Sequence, residues 1–237
     1  MHRNGILIAS LLILFCAVNL TAQDSSSPTV RQTSRRSPEA AKAAEAEGQD
    51  FLFKKHDVKN AIESFKKTVE FDPQYAHGYI MLGVANMQAG HWDQAQWAFE
   101  DASKVDPDDP QAWLGMGSAL NEQKSYPAAQ KALQHCLDLK PDSAEAHYEL
   151  ARSLWGMGKL ELGQAEARRA VELNKDYVSP HVLLGNIYLG QSDPDSAIAE
   201  FREALRLEPE GPQAAELKQT IADIQKALSQ TSRNKKP

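Results

Sequence analysis

The chain has 237 residues, and its 32 acidic side chains outnumber 26 basic ones, which gives a net charge of −6. This surplus of negative charge argues against a nucleic acid partner, because such partners are held through lysine and arginine contacts to phosphate. Cys16 and Cys136 are the two cysteines, so the sequence offers at most one disulfide.

The N-terminus predicts a secretory signal peptide over residues 1–22. A short basic start, M-H-R-N, is followed by an apolar run of about sixteen residues, whereas a membrane span needs about twenty. We expect cleavage after Ala22, although Leu20 is bulkier than the side chain usually preferred two positions before it. Two alternatives stay open: an uncleaved N-terminal anchor, and a lipoprotein processed at Cys16, for which the preceding Phe15 is large.

An exported chain would be periplasmic or secreted and would have no integral membrane span in its mature form. Loss of residues 1–22 removes one of the 26 basic side chains, Arg3, and none of the 32 acidic ones, so the net charge becomes −7. Cys16 would leave as well, and Cys136 would have no partner for an intrachain disulfide. Residues 23–38 are polar with a single valine, so we expect a disordered spacer there.

Proline recurs with a fixed period through the middle of the chain. Pro73, Pro107 and Pro141 are evenly spaced, Pro209 follows after twice the same interval, and Lys175 stands where the missing proline would fall. This interval, which we call one repeat length, is about 34 residues, and a period of this size is typical of a solenoid built from stacked helical hairpins.

Within each period an aromatic-x-x-Leu-Gly segment comes first, a small side chain follows mid-way, and Phe or Leu stands four residues later. This pattern resembles the tetratricopeptide repeat, in which every period forms two antiparallel helices. The resemblance implies an all-α, right-handed α-solenoid of five hairpins over residues 39–209, with ten helices of about 12 to 14 residues. Small side chains occupy the two places where the paired helices come closest: Gly83, Gly117, Gly185, Ala95, Ala129 and Ala197.

A further helix is predicted over residues 210–229. Its apolar residues fall on one stripe at steps of four, three and four, namely Leu217, Ile221, Ile224 and Leu228. Because the last repeat of a solenoid would otherwise expose an apolar flank, we interpret this helix as a cap. Residues 230–237 are expected to form a disordered tail.

Two units depart from the pattern. The first lacks the Leu-Gly pair and has Gly48 one position early. In the fourth, Gly163, Ala167 and Lys175 replace the alanine, the large apolar residue and the proline of the other units, so we expect a locally softer solenoid there. Trp155 of that unit either fills the resulting space or faces a partner.

No motif of catalysis or metal binding was found, and we expect neither an enzyme nor a cofactor. The seven histidines lack the spacing of a helical zinc site, and the glycines form no phosphate-binding motif. His147 and His181 are separated by one repeat length and are interpreted as repeat-equivalent positions. Cys136 occupies a small-residue position and is expected to be a buried, inert thiol.

The resemblance implies that the first helix of every unit lines a concave groove. The candidate partner-binding residues in this groove are Phe53, Ile80, Val84, Met87, Gln88, Leu114, Asn121, Tyr148, Arg152, Trp155, Asn186 and Leu189. Tyr148, Arg152 and Trp155 share one helix face and form the predicted centre, because Trp, Tyr and Arg most often carry interface energy. Alternatively, these side chains contact the neighbouring hairpin, or the C-terminal helix or another copy of the chain covers them.

Two binding modes of the family are not expected here. Its chaperone-binding members clamp a terminal carboxylate with Lys, Asn and Arg, but the corresponding places hold Ala46, Asp50, Ile80, Val84, Leu114 and Ser118. The asparagine ladder of sugar-transferase relatives is replaced by Met81, Gly115, Glu149 and Leu183.

The resemblance therefore implies a protein-protein interaction scaffold that holds a peptide or a partner protein in its groove. The alternative is an assembly subunit of an envelope machine, for pilus or outer-membrane biogenesis. A homo-oligomer is possible in either case.

Overall fold

The computed structural model describes residues 36–234 of the chain, the last four of them by their backbone alone. The predicted signal peptide, nearly all of the predicted spacer and residues 235–237 lie outside these described residues. None of the helices between residues 36 and 234 is long and apolar enough to cross a membrane.

Residues 36–234 form eleven α-helices and no strand, which confirms the predicted all-α solenoid. Ten helices pair into five hairpins, and a longer helix follows them. The bounds are α1 Pro38–Gln49, α2 Val58–Phe71, α3 Ala76–Gln88, α4 Trp92–Val105, α5 Pro110–Glu122, α6 Tyr126–Leu139, α7 Ala144–Gly156, α8 Leu160–Leu173, α9 Val178–Gly190, α10 Pro194–Leu207 and α11 Ala214–Asn234.

The turn inside every hairpin has the same backbone conformation. One residue per unit has a positive φ, between 54° and 73°, and each lies one repeat length after the previous one: His56, Gly90, Lys124, Gly158 and Ser192. A left-handed residue at this point ends the first helix and redirects the chain. Glycine adopts this conformation without steric cost, whereas the other side chains adopt it at a cost of about 1 kcal/mol.

The predicted close approaches of the hairpin helices are confirmed. A Cβ atom added at Gly83 would lie 2.7 Å from Cε1 of Phe99, and one added at Gly117 would lie 2.5 Å from Cγ of Leu133. Each glycine of the first helix therefore makes room for the large side chain of the second. Ala95 and Ala129 are fully buried at the second contact point.

The first unit keeps this contact in spite of its irregular sequence. A Cβ atom at Gly48 would lie 2.6 Å from Cε1 of Phe65, as at the equivalent pairs of other units. The distance in sequence from Gly48 to Gly83 exceeds one repeat length by a single residue, which must be accommodated before the turn. A π-helical turn over Asp50–Lys54 accommodates this extra residue, since a π-turn holds one more residue than an α-turn.

Successive first helices, α1, α3, α5, α7 and α9, contact one another along the chain, whereas successive second helices contact each other far less. The first helices therefore lie on the inner side of the stack. The side chains that they turn away from their own hairpin form one continuous face, which we call the inner face.

The fourth unit is closely packed around Gly163, so the loose packing from which a softer solenoid was expected is not observed. A Cβ atom at Gly163 would lie 3.2 Å from the carbonyl oxygen of Ala151 and 3.3 Å from the amide nitrogen of Trp155, so the two helix backbones nearly touch. Ile187 of the fifth unit is fully buried in the same apolar cluster as Ala151 and Ala167. Its Cδ1 lies 3.6 Å from the position that a Cβ atom of Gly163 would occupy, so the fifth unit packs directly against the fourth hairpin.

The two ends of the stack are covered differently. At the C-terminal end, Leu217 and Ile221 of α11 are buried in the cluster that contains Ile198, and Ile224 and Leu228 pack against it. At the other end, Arg36 Nε lies 2.6 Å from an Asp72 carboxylate oxygen. The chain entering α1 is therefore fastened to the end of α2. Helix α11 continues to Asn234, beyond the predicted end of the cap at Ser229.

Candidate functional site

The candidate groove residues lie on the inner face in two groups. Ile80, Val84 and Leu114 line a cavity of about 510 Å³ between α3, α5 and the start of α7. Tyr148, Arg152, Trp155 and Asn186 line a smaller cavity of about 160 Å³, which α9 and Gln213 complete. Each group combines residues of neighbouring units.

Helix α7 presents the predicted centre. Trp155 is 42% exposed, so its side chain is not enclosed within the fourth hairpin. Tyr148 packs edge-on against Tyr177, with ring centroids 5.3 Å apart. Burial raises the pKa of both phenols above its ordinary value, so both rings are neutral at physiological pH.

A network of carboxylates holds Arg152 in place. Its guanidinium donates to Oε1 of Glu122 on α5 at 2.7 Å and to both carboxylate oxygens of Glu149, at 3.0 and 3.1 Å. Burial alone would lower the pKa of Arg152, but the negative charges of Glu149 and Glu122 outweigh it and raise that pKa. The arginine is therefore charged and fixed in one orientation beside the ring of Tyr148.

Asn121 does not offer its amide to a partner, in contrast to the groove prediction. Its side chain is 4% exposed and donates to the backbone oxygen of Glu149 at 2.9 Å and to a carboxylate oxygen of the same residue at 2.8 Å. It also accepts a hydrogen bond of 2.7 Å from Ser153. Asn121 thus joins the third unit to the fourth.

The remaining candidates differ in exposure. Ile80 is also 4% exposed, so it belongs to the core and only borders the larger cavity. Met87 is partly buried against the same core. Phe53 on the π-helical turn, Gln88 and Leu189 are exposed, and neither cavity includes them.

The histidines that recur in the sequence pair within their hairpins. Nδ1 of His147 lies 2.6 Å from a carboxylate oxygen of Glu166, and Nδ1 of His181 lies 2.7 Å from one of Glu200. The same arrangement, one repeat length further along the chain, confirms that these are repeat-equivalent positions. In the described part of the chain, no three His, Cys, Asp or Glu side chains are placed to hold a metal ion.

Cys136 is 1% exposed, and burial raises the pKa of its thiol to about 11. The thiolate, which is the reactive form, is therefore scarce at neutral pH. This environment agrees with the predicted inert thiol.

Sequence reasoning missed Glu149, which orients Arg152, and Ile187, which completes the fourth hairpin. The first had a visible signal, because Glu149 and Arg152 are three residues apart on one helix. The second requires alignment of the units, in which the positions equivalent to Ile187 hold Ala85, Ala119 and Ser153.

The family model for the tetratricopeptide repeat matches residues 80–144 and 148–215 of the chain. No curated protein sequence matches it.

Several solved structures share the fold at low sequence identity. MamA from Desulfovibrio magneticus RS-1, from residue 41 to its end, is 23% identical with a TM-score of 0.64, over 73% of this chain and 98% of that one. PilF from Pseudomonas aeruginosa is 18% identical with a TM-score of 0.65, over 81% and 92%. YrrB, described as a TPR protein with an unusual peptide-binding site, is 18% identical with a TM-score of 0.56, over 77% and 100%.

Proposed function

The chain belongs to the tetratricopeptide repeat family, whose fold serves as a scaffold for protein-protein interaction, and from this premise we propose that it binds a peptide or partner protein on its inner face. We assign it no catalytic step of its own. The peptide-binding site of YrrB, a protein of the same fold, is in keeping with this proposal.

The observation that carries the proposal is the exposed indole of Trp155 beside a fixed arginine. Packing within the fold does not account for the 42% of Trp155 that stays exposed, and tryptophan and arginine together are typical of the energetic centre of an interface. Because Glu122 and Glu149 already hold Arg152, little side-chain entropy is lost when a partner binds there. Val182 and Asn186 provide an apolar and a polar wall to the same cavity.

Replacement of Trp155 by alanine should therefore weaken partner binding by about 2 kcal/mol or more, and it should change the melting temperature little. The measurement is affinity capture from an envelope extract with the immobilised mature chain, followed by titration of the captured protein. Trp97→Ala is the matched control, because Trp97 is another exposed tryptophan but lies on the second helix of its unit. Equal loss of binding in both variants, or no loss in either, would place the partner elsewhere.

A second candidate function is that of an assembly subunit in an envelope machine, for pilus or outer-membrane biogenesis. The basic start and the short apolar run of the N-terminus support it, since such subunits are exported. We propose a periplasmic or secreted location, with the N-terminal segment removed.

Mass spectrometry of the mature protein is then expected to show an N-terminus at Gln23. An intact N-terminus on a membrane-bound form would instead establish the uncleaved anchor.

A further inference from the structure

A second groove lies on the other side of the stack, between α2 and α4. We call it the outer groove. It encloses about 680 Å³, with Ile62 on the α2 wall, Tyr79 and Leu82 of α3 at its floor, and Trp97 and Asp101 on the α4 wall. This volume is within the range of about 300–1,000 Å³ in which proteins bind small molecules, so it is large enough to hold an aromatic side chain.

Two later junctions carry a polar contact at positions where this groove is lined by apolar residues. Between the second and third units, Gln123 donates a hydrogen bond of 2.9 Å to the side chain of Gln96, and another glutamine pair joins the last two units in the same way. One repeat length before Gln96 and Gln123, the sequence has Ile62 and Ala89. At the junction of the first and second units, an apolar opening thus replaces the polar contact that joins the second unit to the third and the fourth unit to the fifth.

Trp97 stands at the edge of this opening with 60% of its surface exposed, the largest exposed fraction among the large apolar side chains of the described residues. The repeat pattern does not require a tryptophan at this position, since the equivalent positions of the other units hold Glu63, Lys131, Ala165 and Ala199. A protruding indole and an open apolar groove therefore occupy one surface, and the indole does not fill its own groove.

The two walls carry opposite charge. Helix α2 has one more basic than acidic side chain, Lys59, Lys66 and Lys67 against Glu63 and Glu70. Helix α4 has two more acidic than basic ones, Asp93, Glu100 and Asp101 against Lys104. If two such surfaces meet about a two-fold axis, the α4 of each copy can lie along the α2 of the other with attraction at both contacts.

We propose that the outer groove is an interface between two copies of this chain, in which Trp97 of each copy enters the groove of the other. A two-fold interface requires that one surface be complementary to itself. Here the projection, the opening and both signs of charge are present on one surface. A different partner would have to supply a projection and a charge pattern that this chain already carries. This proposal is independent of the partner on the inner face.

The first test is the molar mass of the mature chain in solution, measured by sedimentation equilibrium across about 1 μM to 1 mM. We expect a monomer-dimer equilibrium whose dissociation constant rises about 30-fold or more in Trp97→Ala, as for an aromatic side chain at the centre of an interface. Trp155→Ala, which alters the inner face, should leave the dimer unchanged. A wild-type chain that is monomeric throughout this range would overturn the proposal, and so would a dimer that Trp97→Ala does not weaken.

The second test exchanges charge between the two walls. Lys59→Glu with Lys66→Glu on α2 should weaken the dimer, because both walls then carry net negative charge, and Asp101→Lys on α4 should weaken it less. The variant that carries all three changes should dimerise better than the variant with the two lysine changes alone, because α4 is then no longer negative. These side chains are exposed, so circular dichroism should show an unchanged fold in every variant. A triple variant that dimerises no better than the variant with the two lysine changes would contradict the contact between α2 and α4.

Discussion

Replacement of Ile187 by alanine is expected to lower the free energy of unfolding by about 3–4 kcal/mol. Ile187 is fully buried between the fourth and fifth units, and its Cδ1 lies 3.6 Å from the position that a Cβ atom of Gly163 would occupy. Ala151 and Ala167 border the same space, and neither can extend to fill it. The substitution would therefore leave a cavity, which urea denaturation followed by circular dichroism would detect.

The matched control is Leu189→Ala, on the same helix but at an exposed position. It should cost clearly less than Ile187→Ala, about 2 kcal/mol or less, because 37% of Leu189 is exposed whereas Ile187 is fully buried. Equal effects of the two substitutions would show that Ile187 does not support the fourth hairpin.

A compensating variant tests the cause more directly. Ala151→Gly with Ala167→Leu gives the fourth unit the residues of the third, Gly117 and Leu133. In the Ile187→Ala background this pair should recover part of the lost stability, since the leucine then fills the space from inside its own hairpin. If the pair instead destabilised the Ile187→Ala variant further, the shape of this space and not its volume would determine which side chains fit there.

The helices and turns could be predicted from the sequence because the signals that determine them are local and repeated. A hairpin needs a small residue where its helices approach and a residue that tolerates positive φ at its turn. Both recur in register with the repeat, as at Gly83 and Gly117 for the approach and at Gly90 and Gly158 for the turn. A single residue has only a weak preference for a helix or a turn, but the same preference repeated in every unit gives a clear prediction.

The properties of the fourth unit could not be predicted in this way because its missing volume is supplied by another unit. Ala167 read alone indicates a poorly filled hairpin, and Ile187 read alone indicates an ordinary buried residue. Their relation becomes visible only when the two helices are known to be neighbours. The extra residue near Gly48 is similar, since a π-helical turn leaves no signal in composition.

The residues of the inner face were predicted from their position within the repeat. This position does not determine whether a polar side chain is exposed and available to a partner. Asn121 and Arg152 both occupy groove positions, yet Asn121 is buried between units while Arg152 is partly exposed. Both are tied to Glu149, whose carboxylate accepts a hydrogen bond from each. Pairing between helices of different units is set by the stacking of those units and has no signature in one helix.

Deletion of residues 212–237 is expected to destabilise the fold by about 3–6 kcal/mol and to cause aggregation, because loss of each fully buried apolar side chain costs about 1.5–3 kcal/mol. Leu217 and Ile221 are buried against the last hairpin, with Ile224 and Leu228 beside them. The deletion also exposes Ile198 and the partly buried Leu205, so the end of the solenoid becomes an apolar surface open to other chains. Urea denaturation measures the first effect, and light scattering during a thermal melt measures the second.

A shorter deletion, of residues 231–237, is the control for loss of the C-terminus as such. It removes the end of α11 but keeps its whole apolar stripe, so melting and assembly should match those of the full chain. If the longer deletion also matched the full chain in melting temperature and molar mass, the contacts of Leu217 and Ile221 would contribute nothing to stability. Helix α11 would then be an appendage and not a cap. Because Leu217→Ala with Ile221→Ala leaves the helix in place and weakens only those contacts, this double variant should reproduce most of the destabilisation.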